Sequence, residues 1–336
     1  MNQSVIDEFD IEQIVPGFTA PTASPHNSDR ATIEAANQNT RHWHSQVPGS
    51  LEPGSSTHLR EICRMFRDTF NPYRPSVLDW PRLDPETLQR IVSLPIWDIA
   101  VQTEGRARLR ISAYAKTLAN PDLRDALALN AWEESRHKEV LSRMVAAYGI
   151  PLARAAPYKY PRDAEWAYLV TGYSECIDSF FAFGLFELAR RSTFFPPELV
   201  ETFEPVMQEE CRHILLFANW VAWHRSRLSW WRRIRFEFRV LAAWCILGWQ
   251  RIGLVRTIDA DGREHKQDYN FTVSGAKSVS AAEVSVHEVM TVCLQENDRR
   301  FAGYDARLLR PTMMPGIVRF ALRFLRRTKK ENDVTG

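Results

Sequence analysis

Several common signatures are missing from this chain of 336 residues. Cysteine is scarce: Cys63, Cys176, Cys211, Cys245 and Cys293 are five in number, scattered, and without Cys-x-x-Cys spacing. That excludes a disulfide framework and a zinc ribbon, and suggests reduced thiols in a cytoplasmic protein. No charge sign dominates, since 43 Lys and Arg oppose 41 Asp and Glu, so global charge selects no nucleic acid or acidic partner. The longest apolar run, Val240 to Trp249, is too short to span a bilayer as a helix, and the start MNQSVIDEFD lacks the basic and apolar regions of a signal peptide. There is no Gly-x-Gly-x-x-Gly, no P-loop and no Gly-x-Ser-x-Gly elbow. Nucleotide-dependent and serine-hydrolase chemistries therefore have no foothold.

What is present is a repeat. Glu133-Glu134-Ser135-Arg136-His137 returns as Glu209-Glu210-Cys211-Arg212-His213. Each copy contains Glu-x-x-His within a long pattern of helical period. Positions i and i+3 leave a helix from one face, so each copy can aim a carboxylate and an imidazole at the same point. One such motif on an amphipathic helix is ordinary surface. Two copies in the same context are not. Two facing Glu-x-x-His helices, with one carboxylate from each of two more helices, form the ligand set of a dinuclear iron or manganese centre in a four-helix bundle.

The periodicity supplies the helices, and the expected fold class is all-α. Residues 1–56, rich in Pro, Ser, Thr, Asn and His, are expected to form an extended or partly disordered arm, with His42 and His44 as surface residues. A bundle with a preceding short helix is expected over 57–228. The short helix covers Leu59 to Phe70, and Asp84-Pro85 reads as a cap followed by a first helical proline. Four long helices follow: Ile96 to Leu118, Pro121 to Tyr148 behind an Asn120 cap, Ala164 to Arg191, and Pro197 to Trp223, with Pro205 as a kink or a late start. Inward stripes are predicted along Trp97, Ala100, Glu104, Ala107, Ile111 and Tyr114, along Leu127, Asn130, Glu134, His137, Leu141 and Met144, and along Leu199, Phe203, Val206, Glu210, His213, Phe217 and Trp220. Glu134 and Glu210 each lie 13 residues after a helix-starting proline, so both stand about 20 Å along their helices. Residues 229–336 are expected to be a helical extension packed on the bundle. It includes a Trp- and Arg-rich helix from Trp230, a loop over Asp259 to Gly275, a helix from Ala281 to Phe301, and a basic amphipathic tail from Met313 to Lys330.

Glu134 and Glu210 are the natural bridging carboxylates, with His137 and His213 as one nitrogen donor per metal. Hard anionic oxygens suit higher oxidation states of iron, and neutral imidazoles leave positions open. Glu133 and Glu209, one step off the ligand face, are expected to accept a hydrogen bond from the histidine of the opposite helix. Arg136 and Arg212 would offset charge. On the first long helix Glu104 is the expected ligand, in preference to Asp98 near its start. On the third, Glu175 is preferred over Asp178, which is then placed behind the ligands. Glu187 lies too close to the helix end. His224, His265 and His287 lie outside the motifs and read as surface or packing residues.

At these residues the chain resembles the ferritin-like di-iron carboxylate superfamily. The likeness covers about residues 90 to 225 and rests on Glu104, Glu134/His137, Glu175 or Asp178, and Glu210/His213. The resemblance implies a ferritin-like up-down four-helix bundle, two iron ions or a Mn/Fe pair, and O2 or peroxide chemistry. A branch that N-oxygenates arylamines carries an extra histidine four residues before the last Glu-x-x-His glutamate, and here that position is Val206. The expected function is therefore a di-iron oxygenase or oxidase, a monooxygenase-type oxidoreductase acting on a small organic molecule. It would draw on an external electron donor such as a reductase or ferredoxin. Phe180, Phe181, Phe183, Phe186, Phe217 and Trp220 could wall the substrate pocket or simply fill the core. Two alternatives are carried. One is iron storage or peroxide detoxification, disfavoured by the long additions outside the bundle. The other is a hydroxylase that meets a membrane, a carrier protein or tRNA through its basic tail. A homodimer is expected.

Overall fold

A computed structural model describes residues 11–21, 30–73, 80–94, 96–153, 158–192, 195–260 and 285–324. Among these residues there are eleven helices and no strand: α1 (Ile11–Ile14), α2 (Arg30–Asn39), α3 (Ser56–Asp68), α4 (Pro85–Val92), α5 (Trp97–Ala115), α6 (Pro121–Ala147), α7 (Ala164–Ser192), α8 (Pro197–Arg227), α9 (Trp230–Ala260), α10 (Val286–Phe301) and α11 (Met313–Leu322). The chain is thus predominantly helical, as the periodicity predicts.

The helix starts follow local chemistry. Asp84 and Asn120 each turn a side-chain oxygen onto a free backbone N–H, of Thr87 and Leu123 respectively, both at 2.9 Å, and each is followed by proline at the first helical position. Ser55 does the same for α3 through His58 N–H. α8 runs unbroken through Pro205. A proline there deprives the carbonyl of Glu201 of its helical donor. Glu201 lies on the exposed side of the helix, where water can replace the lost bond.

α5 to α8 are the four long central helices, and their cross-contacts give their directions. Trp97 and Val101 of α5 pack with Met144 and Val145 of α6. His137 of α6 meets Glu209 of α8, and His213 meets Glu133. Ser179 of α7 meets Glu210 of α8, while Tyr173 meets Phe217. In each pair rising numbers face falling ones, so α5/α6, α6/α8 and α7/α8 are all antiparallel. Gly172 permits a close approach: a Cβ there would lie 2.1 Å from the Phe217 ring. The core between these helices includes Ile111, Leu127, Leu169, Phe183, Leu215 and Trp220.

The outer layers differ in places from the sequence expectation. Part of the segment expected as an extended arm is helical (α1 and α2) and tied down: Trp43 is buried, bridges to Tyr304, and donates to Asp68 at 3.1 Å. A polar composition did not prevent ordering here, because Asp305 and Arg307 satisfy its backbone, as at Ser45, Val47 and Gly49. α3 and residues 69–73 cover the outer faces of α6 and α8. α9, α10 and α11 lie against α7. Most of the loop expected from Asp259 to Gly275, the start of the helix expected from Ala281, and the tail beyond residue 324 fall outside the described residues, as does His265; Asp259 itself is the penultimate residue of α9.

Candidate metal centre

α6 and α8 face each other at the two repeats. Glu134, His137, Glu210 and His213 are all buried, and each contributes a ligand-type atom lying within 4.8 Å of those of the others. His213 Nδ1 is 2.9 Å from Glu134 and 3.8 Å from Glu210. His137 Nδ1 is 3.1 Å from Glu210 and 3.8 Å from Glu104 of α5. The two imidazoles lie with centroids 5.5 Å apart.

Both Nε2 atoms point outward, and each meets the acid of the opposite helix. His137 Nε2 is 2.7 Å from Glu209, and His213 Nε2 is 2.9 Å from Glu133. The cross-helix pairing expected from the sequence is therefore present as hydrogen bonds. Each acid is held by an arginine from the other repeat. Arg136 donates to Glu209 at 2.5 Å, and Arg212 donates to Glu133 at 2.6 Å. Both arginines are buried. Arg212 also donates to Thr69 Oγ1 and the Phe66 carbonyl, and Arg136 to the carbonyls of Asn71 and Tyr73. The outer layer is thus charge-balanced, two glutamates against two arginines, and so can be buried.

The outer acids fix the inner geometry. With Nε2 bonded to a carboxylate, the Nδ1 lone pair is turned into the space between α6 and α8. There, His137 Nδ1, His213 Nδ1, Glu134 Oε1 and Glu175 Oε1 are buried polar atoms without a hydrogen bond. Nitrogens 2.9 and 3.1 Å from carboxylates, yet misaligned for a hydrogen bond, converge on a shared point. Unpartnered buried polar atoms are costly, and four converging ones fit a bound cation.

Charge points the same way. Around this point stand Glu104, Glu134, Glu175 and Glu210, four carboxylates gathered about two imidazoles. Without a cation they repel. Burial, followed by the neighbouring Glu134, pushes Glu104 well above the usual carboxylate range, and burial with Glu134 and Glu210 does the same to Glu175. Burial opposes charge on His137 as well, but the hydrogen bond to Glu209 and the nearby Glu210 carboxylate outweigh that and raise it to about 9.

The two candidates on α7 have different surroundings. Asp178 is held at 2.5 Å by Arg251 of α9 and accepts from Ser174 at 2.9 Å. Glu175 instead adjoins Glu134, Glu210 and His213. Glu187 is bound by Arg190 and Arg191 at the helix end. Asp98 caps the Ala153 backbone N–H away from the cluster. His224 stacks on Trp220, and His287 sits on the surface helix α10. Sequence reasoning missed Tyr73, whose hydroxyl donates to Glu209 at 2.9 Å, and Ser179, whose hydroxyl donates to Glu210 at 3.3 Å. Neither belongs to a motif. Ser179 lies four residues after Glu175, and that spacing was the one available hint.

Beside the cluster lies a cavity of about 460 Å³ between α5, α6, α7 and α8, reached also by α9. Glu104, Glu134, Glu175 and Glu210 line it. Its walls are mainly apolar, with Trp97, Met144, Leu185, Phe195, Leu199 and Phe203 at one end. The aromatic wall expected from the sequence is largely elsewhere. Of its six residues only Phe186 lines the cavity; Phe183, Phe217 and Trp220 fill the core, and Phe180 and Phe181 pack near α10 and α11. α7 is buried on several sides at once, so aromatic content alone did not show which side faces the cavity.

No protein-family model, no curated protein and no solved structure matches this chain.

Proposed function

We propose that this chain is a ferritin-like di-iron oxidoreductase that activates O2 to oxidise or hydroxylate a small apolar organic molecule. The observation that carries the reading is the convergence of unpartnered buried Glu and His atoms on one point at the edge of an apolar cavity. Glu104, Glu134, His137, Glu175, Glu210 and His213 would hold the two metals. Two irons, or a Mn/Fe pair, would supply the electron transfer to O2 that this protein's side chains cannot perform. An external reductase or ferredoxin would return the electrons.

The protein's own part is binding, orientation and exclusion of water. Glu209 and Glu133 hold the imidazoles in the tautomer that presents Nδ1 inward. Arg136 and Arg212 keep those acids ionised while buried. Ser179 orients one oxygen of Glu210. Trp97, Leu199 and Phe203 offer a substrate only apolar contact and would bring a C–H bond, rather than a charged group, towards the carboxylates.

The cavity also favours an enzyme over iron storage or peroxide removal, because neither needs an organic-sized apolar space beside its metals. The free thiols suit the reducing cytoplasm. The test is metal content by elemental mass spectrometry on protein produced with added iron, then O2 exposure of the reduced form under an optical spectrometer. Two irons per chain and a transient visible band are expected. His137→Ala or His213→Ala should lose the pair, and unchanged stoichiometry in both would overturn the assignment.

A further inference from the structure

α9 turns an apolar face away from the protein. Its inner residues Phe236, Ala243 and Leu247 are buried. On the opposite side Trp231 is 72% exposed, Phe238 67%, Leu241 58% and Trp249 72%. At 3.6 residues per turn these four project within one quadrant of the helix. The stripe is about 27 Å long. Trp230 and Ile246, also exposed, widen it. A soluble surface seldom leaves so long an apolar strip uncovered without a partner for it.

The charge beside the strip is net positive. Arg232, Arg233 and Arg235 are exposed, and Arg235 acts at longer range on Asp163, which Arg239 already binds. The other charged side chains described on α9 are engaged: Glu237 with Arg225, Arg239 with Asp163, and Arg251 with Asp178. Three positive charges thus stand beside tryptophan and phenylalanine. No helix among the described residues is long and apolar enough to cross a membrane.

We propose that the outer face of α9 docks in the headgroup region of an anionic lipid bilayer. Trp231, Phe238, Leu241 and Trp249 would enter the acyl boundary, and Arg232, Arg233 and Arg235 would meet lipid phosphates. A second copy of this chain would satisfy the apolar strip but would add the same arginines again. An anionic bilayer satisfies both parts. α11 also exposes apolar residues, with Ile317 at 51% and Phe320 at 60%, although its Arg319 is paired with Asp298 at 3.4 Å. The inner face of α9 contributes Leu247 and Gln250 to the apolar cavity. On the di-iron reading, docking would therefore set one cavity wall against the bilayer, a reservoir for a lipid-soluble substrate.

The test is co-sedimentation of the full-length, metal-loaded protein with vesicles of phosphatidylglycerol and phosphatidylcholine in equal parts, against phosphatidylcholine alone. The wild type should partition onto the anionic vesicles and release with added salt. Trp231→Ser/Phe238→Ser/Trp249→Ser should bind at least about ten-fold more weakly, with unchanged circular dichroism and metal content. Arg232→Gln/Arg233→Gln/Arg235→Gln should lose the preference for phosphatidylglycerol. Absence of wild-type binding, or undiminished binding by the apolar variant, would overturn the proposal. So would a dimer that the apolar variant converts to monomer while vesicles bind neither form, because the strip would then belong to a second copy. Protein lacking iron but still bound to vesicles would sink the di-iron reading and leave docking intact.

Discussion

Replacing Glu209 by Gln tests how the outer acids act. Glu209 accepts from Arg136 at 2.5 Å, from His137 Nε2 at 2.7 Å and from the Tyr73 hydroxyl at 2.9 Å, all in the buried interior. Burial works against its charge, but Arg136 and His137 outweigh burial and hold it well below the usual carboxylate range. Glutamine keeps the shape and an acceptor oxygen but removes the charge. Two effects should separate. The first is metal affinity: His137 loses the ionised partner that makes it a good donor, and changes of this kind weaken metal binding about 10- to 100-fold. The second is stability of the metal-free protein. Arg136 would keep two carbonyls, but its remaining carboxylate, Glu133, lies 3.4 Å away and is already engaged by Arg212. Leaving one buried charge underpartnered costs about 3–5 kcal/mol. Competitive chelator titration would read the first effect and urea unfolding of the metal-free form the second. A variant with wild-type metal affinity would refute the argument that Glu209 acts through His137. A loss of less than about 1 kcal/mol would refute the argument that the Glu209–Arg136 pair is a buried, mutually dependent unit.

Glu175→Ala should reduce the metal stoichiometry, whereas Asp178→Ala should leave it unchanged and loosen α9 by freeing Arg251; metal analysis of the two variants decides, and the reverse result would exchange their roles. In the metal-free protein His137 is raised from 6.5 to about 9, so the stability from its imidazolium is complete below about pH 6.5 and lost as pH rises towards 9. Metal must displace that proton, so apparent metal affinity should climb through the same window, and a flat pH profile would contradict the linkage. Gly172→Ala places a Cβ 2.1 Å from the Phe217 ring and should cost about 1–3 kcal/mol in urea unfolding without a change in metal stoichiometry.

The repeated pentapeptide, the proline-and-cap starts and the 3.6-residue stripes were enough to predict four long helices, their approximate ends and the facing of Glu134/His137 on Glu210/His213. These features are readable because a helix reports its own faces: i, i+3 and i+4 neighbours are set by backbone geometry and need no knowledge of the rest of the chain. The same locality limits what can be read. Glu175 and Asp178 lie on one face of α7, and nothing within α7 distinguishes them. The difference is made by Arg251, which arrives from another helix and occupies Asp178. Glu133, Arg136, Glu209 and Arg212 would be surface residues on isolated amphipathic helices. They are buried because α3 and residues 69–73 cover them and supply Thr69, Tyr73 and backbone carbonyls to satisfy their charge. The cavity could not be foreseen either, because an empty space is a property of which side chains fail to meet. The types and facing of the inner Glu and His were determined by the sequence alone. Their convergence, the balanced shell of Glu–Arg pairs and the apolar space at their edge were decided by the tertiary structure, since each depends on groups brought from distant parts of the chain.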